Sequence, residues 1–363
     1  MFRRLIITSA ILTSFLGSTL TFAENKNNPN WEVGALVEVE LSYAVDNVDK
    51  SSETGDPNAK DTTSSDFTLA TVELYFDGQL TDWIGGHVRL LWEQDVTEPI
   101  DMDMAYIYIS NKEKSAISYF LGKMYMPFGS FESNMISDPY TLVLGETNET
   151  GVLIGFYKNF YVNGYVFNGD INKLSEIDNG DDNIDNFGFN LGYALESDRL
   201  TMNVGVDYIN NLADSDTLQE FTTPSIDNYI GGLGAHANIK FGIFTFIAEY
   251  VGALDDFQAG ELVGVDEDDN PVPSDKKRTP SAYNIELGFD IGQKATLAFA
   301  YQGSSDAVDI GLHESRGMVG AAIDIARNTL LSFELAFDDD YATDEGGDGE
   351  TDIAFTTQVA IEF

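Results

Sequence analysis

Trp31-Glu32-Val33-Gly34-Ala35-Leu36-Val37-Glu38-Val39-Glu40-Leu41-Ser42-Tyr43 decides the fold. Every odd position from Trp31 to Tyr43 is apolar, while Glu32, Gly34, Glu38, Glu40 and Ser42 fall between them. Successive side chains of a strand point to opposite faces, so this period of two makes a ribbon with one greasy face and one acidic face. The same alternation runs through Phe187 to Leu195, Leu200 to Tyr208, Tyr283 to Ile291 and the terminal Ile353 to Phe363. A helix, with its longer period, fits none of these stretches.

The connections carry a second pattern. Tight turns fall at Thr81-Asp82-Trp83, Asn111 to Lys114, Lys158-Asn159, Ser197-Asp198, Phe241, Gly292-Gln293 and Arg327-Asn328. Longer polar stretches alternate with them, at 46–66, 96–100, 126–150, 170–183, 211–227, 255–280, 305–313 and 341–351. The breaks leave 16 segments, an even number, with both chain ends on the short-turn side. Every segment keeps its apolar face, and no helix or second sheet is left over to cover it. Aromatics gather at segment ends, as in Trp31 and Tyr43, Trp83 and Trp92, Tyr283 and Phe289, Phe355 and Phe363. Together these features predict an all-β, transmembrane, antiparallel up-and-down barrel of 16 strands, with short periplasmic turns and long extracellular loops. Its surroundings are then the lipid and lipopolysaccharide of a bacterial outer membrane. A soluble sandwich or propeller would bury the same faces under a partner layer.

Composition narrows the function. The 363 residues include 19 Lys+Arg against 61 Asp+Glu, a net charge of −42, with no Cys and 3 His. That balance excludes nucleic-acid binding, which needs clustered cations, and the residue types exclude thiolate chemistry and a His-rich metal centre. No Gly-x-Ser-x-Gly, phosphate-cradling loop or His-Glu-x-x-His is present, so no enzyme is expected. Arg3 and Arg4, the apolar Leu5 to Leu16 and the small-residue site Thr21-Phe22-Ala23 read as a cleaved signal peptide over residues 1–23. Residues 24–30 form a short periplasmic segment, too small for a plug, ahead of a single barrel domain over 31–363. No cofactor is expected. The runs Asp178 to Asn183 and Asp266 to Asn270 offer oxygen donors for weakly bound Ca²⁺, without the complete spacing of a calcium loop.

A barrel of this strand number encloses an aqueous channel. The inward register places Glu38, Glu40, Glu73, Glu93, Glu249, Glu286, Asp324 and Glu334 in the lumen, with Arg89, Lys123, Lys240 and Arg316 as cations. A mostly negative lumen favours cations; the bland alternative is ion pairing along the inner wall. The stretch 126–150 contains Phe128, Phe131, Met135, Ile136 and Tyr140, which a solvated loop has no reason to expose. It is therefore expected to fold inward and narrow the pore, with Lys123 and Glu132 at the constriction. The alternative is an extracellular or subunit-facing cap.

Trp31 to Val45, Ala105-Tyr106-Ile107-Tyr108, Gly122-Lys123 followed by Phe128-Gly129 and Glu132, and the Phe-terminated last strand resemble the siderophore-porin family. The passage Gly122, Lys123, Pro127, Phe128, Gly129, Glu132 is more distantly similar to the phosphate-selective porins. The resemblance implies a plug-free outer-membrane barrel that admits an iron–siderophore or other small solutes. The phosphate porins also imply a lumen ladder of Arg and Lys, from which this acidic inner face departs. A general cation-preferring diffusion porin and a non-conducting structural or adhesive barrel are the competing readings. By analogy with general porins, the expected assembly is a homotrimer.

Overall fold

A computed structural model describes residues 30–46, 62–94, 96–175, 183–265 and 270–363. The signal peptide and both calcium-like runs, apart from Asn183 and Asn270, lie outside the described residues. The chain makes sixteen long strands in meander order: β1 Asn30–Asp46, β2 Thr62–Gln79, β3 Ile84–Glu93, β4 Thr97–Ile109 and β5 Ile117–Tyr125. There follow β6 Asn148–Tyr157, β7 Phe160–Phe167, β8 Asn186–Glu196, β9 Leu200–Ile209, β10 Gly232–Phe241 and β11 Phe244–Ala253. The last five are β12 Ser281–Ile291, β13 Ala295–Ser305, β14 Ser315–Ala326, β15 Thr329–Asp339 and β16 Thr351–Glu362. Each pairs antiparallel with the next, and β16 pairs back onto β1 from Leu36↔Glu362 to Val45↔Ile353, closing the barrel. The Phe363 N–H donates to the Ala35 carbonyl at 2.9 Å, so the C-terminal aromatic ends the seam at the short-turn rim.

Alternation explains the closure. In β7, Phe160, Val162, Gly164 and Val166 face outward, whereas Tyr161, Asn163, Tyr165 and Phe167 are buried. Leu191, Leu287, Phe299 and Tyr301 continue the outer belt, all exposed. Trp31, Phe160, Phe241, Phe244 and Phe363 make an aromatic girdle near the short-turn rim. Every one of the sixteen strands pairs with a neighbour on both sides and the outer belt is apolar, the arrangement by which a sheet satisfies its backbone against hydrocarbon. The barrel spans a membrane.

Inward glycines let large rings lie flat on the wall. A Cβ on Gly192 would sit 2.1 Å from the Tyr161 hydroxyl, and one on Gly34 would sit 2.1 Å from that of Tyr75. The upper rim differs from the sequence reading in three places, the first at 62–66, which are strand paired with β1 from Asp46↔Thr62 to Ser42↔Asp66 rather than loop. The connection between β3 and β4 is short, because Thr97 already pairs with Glu93 and 97–100 belong to β4 rather than to a loop. The inner segment ends at 147, since Asn148 already pairs with Tyr125. This segment contains one short helix, α1 Tyr140–Gly145, and the connection after β9 contains α2 Asp216–Glu220.

Candidate functional site

Residues 126–147 lie against the polar face of β10 to β15, fastened by hydrogen-bonding side chains of β10, β11, β12, β13 and β15, Asn238 on β10 donating to the Ser130 hydroxyl oxygen at 2.8 Å. Glu249 on β11 accepts the Ser130 N–H at 2.6 Å, the Phe131 N–H at 3.0 Å and the Thr141 hydroxyl at 2.9 Å. Glu286 on β12 accepts the Ser133 hydroxyl at 2.7 Å and the Asn134 N–H at 2.8 Å. Glu334 on β15 accepts the Ile136 N–H at 2.6 Å, the Ser137 N–H at 3.0 Å and the Ser137 hydroxyl. The Gln302 side chain on β13 accepts the Tyr140 N–H at 3.0 Å. Aligned backbone donors are what a buried carboxylate needs, and Phe131 adopts a left-handed φ of 53° where its N–H and that of Ser130 both turn to Glu249. Met135 anchors the middle of the segment in a pocket of Ala298, Ala300, Met318 and Ala336.

Above α1 the loops form an apolar core of their own. Leu142 and Leu144 pack with Leu212, Leu218, Ile226, Phe257 and Ile310, drawn from the connections after β9, β11 and β13. The Ser215 hydroxyl donates to the Leu144 carbonyl at 2.9 Å, and the Asp216 N–H donates to the Glu146 carbonyl at 2.8 Å. Asp216 in turn accepts the Asn148 N–H at 2.9 Å.

The lumen cations are each paired. Arg89 directs Nε to Asp103 and approaches Glu73 at 3.5 Å, stacked over the Tyr125 ring at 5.4 Å. Lys123 lies 3.7 Å from Asp101, and Lys240 lies 2.8 Å from Asp290. Arg316 grips Asp338 with Nε and, at 3.1 Å, with Nη2, while its guanidinium covers the Tyr140 ring at 5.1 Å. The arrangement brings Glu249, Glu286 and Glu334 together as loop anchors rather than as a ring open to water. Arg89 and Glu93 sit buried on β3, and Glu93 accepts the Thr97 hydroxyl at 2.8 Å. Glu132 is half-buried on the inner segment, its carboxyl pushed up by burial and by Glu286. Asp324 stands apart, exposed at the end of β14 near the short-turn rim.

Sequence reasoning missed Asp103, Asp338, Asp138 and Glu146. The first two fall on inward registers and were readable from the same alternation. Asp138 and Glu146 belong to the inner segment, where no period exists to reveal direction. Asp138 is buried with neither carboxylate oxygen hydrogen-bonded, and Glu146 Oε2 and Glu38 Oε2 are likewise without a hydrogen-bond partner among the described residues. Burial, reinforced by Glu146, Glu93, Glu38 and Glu40, holds the Asp138 carboxyl well above the usual range.

The outer-membrane channel DcaP of Acinetobacter baumannii superposes with a TM-score of 0.58 at 14% identity, covering 94% of this chain and 99% of that one. An anion-selective porin from Comamonas acidovorans gives 0.58 at 12% identity, covering 93% and 100%. The chain has a porin barrel fold. In sequence, the barrel is 27% identical over 279 residues to a UPF0422 protein of Coxiella burnetii, covering 72% of this chain. It spans 57% of that relative's length. No family model matches.

Proposed function

We propose that the protein is an outer-membrane channel through which small solutes diffuse passively, with a preference for cations, and that the inner segment narrows its passage. One observation carries the preference. Arg89, Lys123, Lys240 and Arg316 are each tied to an aspartate, and Arg89 to Glu73 as well, which leaves the inward carboxyls of Glu40, Glu249, Glu286 and Glu334 outside the ion pairs of these four cations. The uncompensated charge of the interior is therefore negative, and a carboxylate-lined constriction admits cations over anions. The porin barrel fold supports a conducting rather than an adhesive role.

Planar-bilayer recording of the purified protein under a KCl gradient tests this reading. Discrete conductance steps with a reversal potential on the cation side are expected; silence or an anion-side potential overturns it. An iron–siderophore as solute is supported by the sequence resemblance alone, and an anionic chelate would meet no free positive track along the wall. Loss of iron-chelate uptake in a deletion strain, restored by the gene, is the outcome that would establish it. Chemical crosslinking in the native membrane reads out the homotrimer proposed by analogy.

A further inference from the structure

The inner segment presents Asp138 in a fixed attitude. The preceding Ser137 N–H is held by Glu334 at 3.0 Å and the following-but-one Tyr140 N–H by Gln302 at 3.0 Å. Pro139 between them is locked at φ −67°. With the backbone pinned on both sides, the carboxylate cannot swing out to bulk water, and it is 5% exposed. The acids acting on it are Glu146 from its own segment, Glu38 and Glu40 from β1, and Glu93 from β3. Register brings these together: Glu38 pairs with Thr71 on β2, and the next residue, Val72, pairs with Trp92 beside Glu93. On the far side, Gln358 of β16 donates to Glu40 at 2.8 Å.

Donors are scarce there. Four buried oxygens have no hydrogen-bond partner within geometric limits among the described residues: both of Asp138, Oε2 of Glu146 and Oε2 of Glu38, the last with the Thr71 hydroxyl beside it. Of the cations packed near them, Lys123 serves Asp101, and Arg89 serves Asp103 and Glu73, with only its Nη2 lacking a hydrogen-bond partner. Buried polar atoms are almost always satisfied, so a cluster of orphaned acceptors marks the place of a missing donor. A metal ion does not fit the demand, since no three carboxylates or imidazoles among the described residues converge closely enough to ligate one. Acceptors spread across a segment and a wall suit a ligand whose donors are also spread.

We propose that Asp138, Glu146 and Glu38 form a recognition site for a small organic cation bearing several N–H donors, such as a diammonium or a guanidinium solute. The site rests on the channel reading only for access, since the solute must enter the lumen to reach it. Charge alone is not the recognition element. N–H groups pointing at the orphaned oxygens are, because each exchanges a desolvated, unpaired acceptor for a charge-assisted hydrogen bond.

Titration calorimetry on the detergent-purified full chain tests this with putrescine and its hexamethyl derivative, which has the same two charges and no N–H. Putrescine is expected to bind at least tenfold more tightly than the methylated dication. Asp138→Asn and, separately, Glu38→Gln are each expected to weaken putrescine by about tenfold; the second variant decides if the first does not fold. Equal binding of the two dications, or no putrescine binding by the unaltered protein, overturns the site. KCl conductance on the same preparation separates the two readings. Conductance without putrescine binding removes the site alone, and binding without conductance removes the channel alone.

Discussion

Glu334 shows how much one inward residue can say and how much it withholds. Its direction follows from the alternation of β15, yet its role as acceptor for Ile136 and Ser137 depends on residues 198 and 197 positions away. No local pattern encodes such a contact, so the anchors Glu249, Glu286 and Glu334 read from sequence as free lumen charge. Replacing Glu334 by Ala leaves two backbone N–H groups without acceptors, at about 1–3 kcal/mol for each group orphaned in a dry site. The expected outcome is a lower thermal midpoint in detergent together with a raised or noisier single-channel conductance, as the segment lifts from the wall. An unchanged midpoint and conductance would show that the anchor holds nothing. A second residue pair acts at the rim. His313 lies 3.7 Å from Asp340, joining the connection after β13 to the one after β15. Burial works against the His313 charge, but Asp340 and Asp338 overcome it and raise its pKa above the usual value. Burial likewise works against the Asp340 charge, and hydrogen bonds from its neighbours outweigh it, holding the carboxyl down at about 2. The histidine's contribution is thus complete below its unfolded pKa of about 6.5 and is lost as pH rises through the elevated folded value. The aspartate's contribution persists down to strongly acid pH. Hydrogen exchange in residues 306–314 and 340–350 should therefore quicken between pH 6 and 8 beyond the intrinsic base-catalysed rate, and His313→Gln should abolish the extra dependence.

Strands were the legible elements because their period is written into every other residue. The inner segment is legible only by its anomalous apolar content, and the stretch 96–100 reads as a loop because polarity alone does not distinguish a turn from a strand end. Thr97 and its neighbours are strand because β3 supplies a partner, which is tertiary information. The wall itself depends on shape as well as period. Tyr161 lies over Gly192 while its hydroxyl donates to Asn203 at 2.8 Å and meets His236 Nε2 at 3.1 Å. His236 in turn reaches Asp207 at 3.2 Å, so one ring orders a polar network across β7 to β10. Gly192→Val would drive two methyls into that ring and break the network, costing about 1–3 kcal/mol as overpacking does elsewhere. Gel-shift heat modifiability should show a folded band that unfolds at lower temperature. On the opposite face, Leu287→Arg in the middle of β12 should cost about 2–4 kcal/mol by placing a charge in hydrocarbon. Should the same substitution be neutral in bilayers, the outer belt would not be facing lipid.

For the whole molecule, the net charge of −42 has two different fates. Much of it is solvated on the loops, where it has little influence on what passes. The part that matters is folded inside, on segments whose carboxyls resist ionisation. Burial pushes Asp138 and Glu146 well above the usual carboxylate range. In the loop core over α1, burial likewise raises Asp214 and Asp216 to about 6 despite hydrogen bonds that favour their charged forms. The folded chain therefore binds protons that the unfolded chain, with aspartates near 3.9, releases. Stability must rise as pH falls from 8 through about 6, and the gain is complete only near the unfolded value. The rim pair of His313 and Asp340 acts in the same direction over that interval. Selectivity should move oppositely, because each proton taken up removes negative charge from the constriction. Cation preference, read from the reversal potential in a KCl gradient, is expected to weaken as pH falls from alkaline values to about 5, while the thermal midpoint in detergent climbs. Exposed loop carboxylates, which titrate nearer 4, would leave both quantities flat over that range. Asp138→Asn should flatten part of the selectivity change while leaving the share of stability owed to Asp214 and Asp216. A selectivity that held constant over that whole range would place the ion-choosing charge outside the barrel.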